Sequence, residues 1–111
     1  EPQFKWQKPS VVVMSEGNYS DAHMFPVTYR ALGIGKLVGM PVAGTGTAVW
    51  WERLQNGMWF GIPQVGMIDN NGKYLENQQL DPDVLQALDP GAVSTGRDQQ
   101  LEEAVKVLLG R

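Results

Sequence analysis

The chain contains no cysteine. That excludes disulfides, thiolate metal sites and a cysteine nucleophile, and it leaves the cellular compartment open. It contains a single histidine, His23, so any local imidazole chemistry has one candidate. Nine lysines and arginines face twelve aspartates and glutamates, for a net charge of −3. No basic run exists that could track a phosphate backbone, so nucleic acid is not an expected partner. No apolar stretch approaches the length of a bilayer crossing, and no signal-peptide pattern is visible. No internal repeat or low-complexity tract is present. The chain opens at Glu1-Pro2 without an initiator methionine. An upstream segment, with any export signal it carries, is therefore expected, and the compartment could be cytoplasmic or bacterial extracytoplasmic.

What is present suits one small domain or a piece of a larger one, since 111 residues with 42% hydrophobic composition can bury a modest core. Residues 1–9 mix Phe4, Trp6 and two prolines and read as an extended lead-in. Residues 10–111 read as the folded unit. Ser10 to Ser15 is apolar at consecutive positions, the pattern of a strand covered on both faces. Ser20 to Leu32 reads as an amphipathic helix, with Phe25, Tyr29 and Leu32 on one stripe and Met24, Thr28 and Ala31 beside it. Pro26 is tolerated only near a helix start, and Gly33 and Gly35 end the helix. Lys36 to Met40 reads as a second strand, completing a βαβ unit with a parallel, right-handed crossover.

Beyond Pro41 the pattern changes. Thr47 to Leu54, Met58 to Ile62 and Gln64 to Asp69 read as strands, with a short segment at Tyr74 to Glu76. Asn56-Gly57 and Asn71-Gly72 are two-residue hairpin signals, so this part is expected to be antiparallel. Asp81-Pro82-Asp83 predicts a helix start, and Pro90 to Gly96 a loop. Asp98 to Leu109 predicts a helix capped by Asp98 and stopped by Gly110, with Leu101, Ala104, Val105, Leu108 and Leu109 as its apolar face.

Ser20 sits where the first strand hands over to the first helix. A hydroxyl on such a turn, with helix N–H groups just beyond it, has the setting of a nucleophilic serine. It equally has the setting of an ordinary helix N-cap, and the local pattern alone favours the cap. The N–H of Asp21 would donate to an oxyanion. A base is harder to supply, because His23 lies on the same helix, three residues on, and would project beside the hydroxyl rather than across a substrate. His23 is therefore expected to be a partly exposed first-turn residue. Gly44-Thr45-Gly46-Thr47 lacks a Walker lysine and a following helix, so it reads as a tight turn where backbone approaches another segment, not a phosphate cradle. Trp50, Trp51, Trp59 and Phe60 surround the first hairpin. One of the two adjacent tryptophans should be buried, and cross-strand aromatic packing should account for at least two of the four. Glu76, alone, could tune a catalytic group or be merely solvated.

From Val11 to about Pro82 the chain resembles the catalytic core of the S41 serine peptidases, the tail-specific and tricorn group. The resemblance rests on Ser15-Glu16-Gly17-Asn18-Tyr19-Ser20-Asp21-Ala22-His23, on the strand Gly35 to Gly39, on the turn Gly44 to Gly46, and on Trp50-Trp51-Glu52 and Gly61-Ile62-Pro63. It covers about two-thirds of the chain. Tail-specific members carry a catalytic lysine between the two turn glycines. Thr45 stands there, a departure that fits the tricorn branch. The resemblance implies that Ser20 is the nucleophile, that the Asp21 N–H is an oxyanion donor, and that Glu76, in Tyr74-Leu75-Glu76-Asn77, is a supporting carboxylate. It places the catalytic histidine upstream of Glu1.

The resemblance implies an α/β fold of the ClpP/crotonase-like kind: a short parallel βαβ core, an antiparallel hairpin extension and a C-terminal helix. The chain would be the nucleophile-bearing C-terminal part of a serine peptidase, inactive alone. Its substrates would be peptides or unfolded polypeptides. Its partners would be the upstream part of the same protein and a second copy of itself. No cofactor, metal, nucleic acid or membrane partner is expected. An alternative of another class is a catalytically silent interaction or assembly domain of the same fold, with Ser20 as a cap and the aromatic hairpin as its binding face. A crotonase-type acyl-CoA enzyme shares the fold but needs no serine here.

Overall fold

A computed structural model describes residues 4–110. The first three residues of the expected lead-in lie outside the described residues. The consecutive valines form β1 (Val11–Met14), the Ser20 turn leads into α1 (Asp21–Ala31), and β2 (Lys36–Gly39) pairs parallel with β1. This is the expected βαβ unit. Its core is Met14, Tyr29, Leu37 and Val42, with Val12 and Leu80 packed against them. β1 is not covered on both faces, because Val13 is 42% exposed.

The inward face of α1 differs from the predicted stripe. His23, Pro26 and Tyr29 are buried, whereas Phe25 and Leu32 are exposed. The Tyr29 hydroxyl explains part of the rotation: it donates to the Ser10 carbonyl at 2.7 Å and contacts the Ser10 hydroxyl at 2.8 Å. Tyr29 therefore turns toward the start of β1, and Phe25, tilted against it, is left outside.

The predicted helix start at Asp81-Pro82-Asp83 is a strand entry instead. The Asp83 N–H donates to the Leu37 carbonyl, and the Asp83 carboxylate accepts the Leu37 N–H at 2.7 Å. Those two bonds draw the segment along β2, where β5 (Val84–Leu85) adds a third parallel strand in the order β1-β2-β5. Pairing with β2 outweighs a local cap preference of about 1 kcal/mol. The predicted loop at Pro90 to Gly96 contains a short helix, α2 (Pro90–Ser94), started by the Asp89 side chain accepting from the Ala92 N–H. The final helix, α3 (Gln99–Leu109), is as predicted at both ends: the Asp98 carboxylate accepts from the Leu101 N–H, and Gly110 ends it at φ 68°. It packs against β1 and β2, yet of its predicted apolar face only Ala104 is buried.

The two strands expected at 58–69 merge into one. β3 (Thr47–Arg53) pairs antiparallel with β4 (Trp59–Gly66), and a register shift between Ala48 and Val49 accommodates Pro63. Each Asn-Gly turn closes around three residues, not two. Gly57 N–H bonds the Leu54 carbonyl while Leu54 N–H bonds that of Met58, and Asp69, Gly72 and Lys73 repeat the arrangement. Gly57 and Gly72 take the positive φ that this turn needs. Both adjacent tryptophans are exposed, and their cross-strand partners are Ile62 and Gly61, not aromatic rings. The chain is mixed α/β, with a parallel and an antiparallel sheet. Its radius of gyration is 17.3 Å, against about 13 Å for a compact domain of this length.

Candidate active site

The turn from β1 into α1 is built by Asn18. Its Oδ1 accepts from the Ser15 N–H at 3.1 Å, and its Nδ2 donates to the Ala22 carbonyl at 2.9 Å. The second bond has a specific cause. Pro26 stands four residues after Ala22 and has no N–H, so the Ala22 carbonyl lacks its helical donor. Asn18 supplies one from outside the helix, which lets Pro26 sit deeper in α1 than the first turn. Asn18→Ala leaves that carbonyl without a donor and frees the turn. A stability loss of about 1–2 kcal/mol is expected, read by urea denaturation, and Asn18→Asp should recover only the part due to the Ser15 N–H, because a carboxylate accepts but cannot donate to the Ala22 carbonyl.

Asn18 delivers the chain to Ser20 in a conformation rare for a residue with a side chain, φ 54° and ψ −114°. Such backbone costs on the order of 1–3 kcal/mol and persists only where the surroundings impose it. The Ser20 carbonyl accepts from the His23 and Met24 N–H groups, so Ser20 occupies the N-cap position by its backbone. Its hydroxyl makes no capping bond. The side-chain cap favoured by the local pattern is thus absent, and the hydroxyl is left free. The first N–H groups of a helix have no partner within it; among the described residues, none accepts from Asp21.

Ser20 and Asp21 line a hollow of about 40 Å³ with Met24, Thr45, Gly46, Thr47, Ala48 and Met67. Loop 44–47 forms its other wall. The Ser20 N–H donates to the Thr45 hydroxyl at 2.8 Å, and the Thr45 N–H donates to His23 Nδ1 at 3.2 Å. His23 is only 1% exposed, not the partly exposed residue expected. Its Nδ1 is occupied by the Thr45 N–H, and its Nε2 has no partner among the described residues. His23 therefore makes no bond to the Ser20 hydroxyl and positions the loop instead.

Glu76 does not line the hollow. Its Oε2 accepts from the Gly46 N–H at 2.7 Å and from the Thr47 hydroxyl at 3.1 Å, so it grips the loop from the far side. The Asn77 N–H adds a bond to the Gly44 carbonyl at 3.0 Å. The two loop glycines are needed for this approach: a side chain on Gly44 would run into the Gln78 backbone, and one on Gly46 would meet Leu75 Cβ at 2.7 Å. The reading of this loop as a close backbone approach is correct. Sequence reasoning named Asn18 only within the motif around Ser20, and Thr45 only as a departure from the tail-specific lysine, and gave neither a role. Asn18 had a signal, four residues before the carbonyl that Pro26 orphans. Thr45 had one signal, its place where tail-specific members carry a lysine; its contact with Ser20, 25 residues away, had none.

Beside the hollow, an open groove of about 490 Å³ runs along the hairpin, lined by Tyr19, Ser20, Thr47, Val49, Trp51 and Gly61. A cavity of about 460 Å³ lies elsewhere, against His23, Arg30, Asp69 and Leu80, and offers no hydroxyl or thiol nucleophile. No cluster of potential metal ligands exists among the described residues.

Residues 1–86 match the model of peptidase family S41. The chain belongs to that family. This S41 chain is 33% identical over 110 residues to a tricorn protease homologue of Streptomyces coelicolor, covering 97% of the chain and 10% of the relative. It is 27% identical to the tricorn protease of Thermoplasma volcanium, covering 97% of the chain and 11% of that protein. A crystal structure of the tricorn protease superposes with a TM-score of 0.82 at 26% identity, over 90% of the S41 chain and 10% of the solved one. The S41 chain therefore spans about a tenth of the length of the curated relatives it matches.

Proposed function

We propose that this chain carries the nucleophile of a serine-type peptidase and is the C-terminal subdomain of its ClpP/crotonase-like core. The observation that carries the proposal is Ser20 itself: a strained strand-to-helix turn with an uncapped hydroxyl beside the Asp21 N–H. Strained turns of this kind expose a serine nucleophile. Ser20 Oγ attacks the carbonyl carbon of a peptide, its proton passes to a base, and the Asp21 N–H holds the oxyanion. The amine leaves with a proton, and water then hydrolyses the acyl-enzyme. Glu76 supports the site through its grip on loop 44–47. The groove along Tyr19 and Trp51 gives a peptide or unfolded chain a surface beside Ser20.

The base is not among the described residues near Ser20, since His23 is committed to Thr45. By resemblance to the family it is a histidine from an upstream part of the protein. The chain by itself is therefore inactive, and Ser20-dependent peptide hydrolysis by residues 1–111 alone would refute that. Fluorophosphonate labelling of the full-length protein tests the main proposal. Labelling lost in Ser20→Ala supports it, and no labelling of an intact fold sinks it.

A second reading is an assembly domain without catalysis. It is favoured by the exposed Trp51, Trp59 and Phe60 on the hairpin and by the exposed leucines of α3, apolar groups of the kind that interaction surfaces carry. A second copy of the chain and the upstream part of the protein are the partners that such surfaces fit.

A further inference from the structure

We propose that Thr45 is the positioning residue that holds Ser20 in its reactive backbone conformation; this rests on Ser20 being the nucleophile. Two bonds meet at Thr45. Its hydroxyl oxygen accepts the Ser20 N–H at 2.8 Å, and its own N–H donates to His23 Nδ1 at 3.2 Å. Ser20 and His23 lie at the start of the same helix, so Thr45 is tied to that helix on both sides of its first turn.

The direction of the Ser20 N–H is set by φ. At a relaxed, negative φ, the peptide preceding Ser20 would rotate about the N–Cα bond relative to the side chain, and N–H and Oγ would change their mutual direction. The bond to Thr45 therefore fixes where Ser20 Oγ points whenever the loop is fixed. The loop is fixed independently. Glu76 accepts from the Gly46 N–H and the Thr47 hydroxyl, the Asn77 N–H donates to the Gly44 carbonyl, and the Met67 N–H donates to the Gly46 carbonyl at 2.8 Å. Thr45 is the side chain that carries this rigidity across the hollow to Ser20. Glu76 thereby acts on Ser20 through the loop and Thr45, without touching it.

The buried His23 completes the arrangement. Acceptance of the Thr45 N–H at Nδ1 requires the neutral ring with its proton on Nε2. The histidine next to the serine is thus used as an acceptor for the positioning loop.

The test is fluorophosphonate inactivation of the full-length protein, which reports on the nucleophile without a known substrate. Thr45→Val keeps the shape and removes the acceptor. The inactivation rate at saturation should fall about 10²-fold, with the apparent probe affinity within about twofold, because a displaced nucleophile loses reactivity and not binding. Thr45→Ser keeps the acceptor and should restore most of the rate. Amide exchange at Ser20 should quicken in Thr45→Val and not in Thr45→Ser. Should Thr45→Val fail to fold, Thr45→Ala is read the same way. An unchanged rate in Thr45→Val overturns the proposal, as does an equal loss in the valine and serine variants. Labelling that survives Ser20→Ala would instead refute the nucleophile reading, and Ser20 amide exchange would still decide whether Thr45 holds the turn.

Discussion

Ser20→Ala in the full-length protein should lower kcat for unfolded casein about 10⁴- to 10⁶-fold. The loss is large because, with Ser20 as the proposed nucleophile, the described residues of the hollow supply no substitute for it. The hollow beside Ser20 is lined otherwise by Asp21, Met24, Thr45, Gly46, Thr47, Ala48 and Met67. Its two other hydroxyls are already engaged: the Thr45 oxygen accepts the Ser20 N–H, and the Thr47 hydroxyl donates to Glu76. The substitution removes one oxygen and leaves the backbone bonds to Thr45, His23 and Met24 available, so folding should change little. Alanine is also not favoured at φ 54°, so Ser20→Gly should fold with at least equal ease and be equally inactive. Hydrolysis that persists in both variants would assign the chemistry elsewhere and leave the strain at Ser20 without a catalytic explanation.

Gly44→Ala should have the largest structural effect. Its added carbon would overlap the Gln78 backbone, and neither partner is the flexible end of a side chain. Segments 44–47 and 75–78 must separate, at a local cost of about 3 kcal/mol. The Asn77 N–H, which donates to the Gly44 carbonyl, reports the separation by amide exchange. Because Glu76 and Thr45 both depend on this contact, fluorophosphonate labelling of Ser20 should fall in parallel. Unchanged protection at Asn77 would show that the loop can yield without leaving Glu76. The same addition at Gly57 meets nothing nearby. The positive φ there still penalises alanine by about 1 kcal/mol, but that cost stays in the hairpin turn.

The residues most legible in the sequence were those whose structure depends on near neighbours. Asp98 and Gly110 bound α3 as their types predict, because a cap bond spans only three residues. The consecutive valines of β1 and the glycines before β2 marked a parallel βαβ unit. The Asn-Gly turns were recognisable, although both close around three residues. Ser20 and Asp21 could be picked as candidates from their place between strand and helix. The family resemblance added Glu76, which no local pattern singled out.

Other features depended on partners far along the chain. Asp83 carries a helix-start signal, yet two bonds to Leu37, 46 residues earlier, make it part of a sheet. His23 looked like a surface residue of a first turn until the Thr45 loop closed over it. One of Trp50 and Trp51 was expected to be buried, yet both are exposed, and the positions opposite them are Ile62 and Gly61. Register across a hairpin depends on turn length and bulges, and a single residue of shift changes every pairing.

By itself, then, the sequence determined the first βαβ unit, the caps of α3, the position of the two Asn-Gly turns and the location of one serine at a strand-to-helix junction. All of these follow from bonds and torsions spanning a few residues. Only the tertiary structure decided that the serine hydroxyl is uncapped, that its backbone is strained, and that Thr45, His23 and Glu76 meet around the loop opposite it. Those facts require segments near residues 20, 45 and 76 to converge, and that convergence comes from the close packing allowed by Gly44 and Gly46.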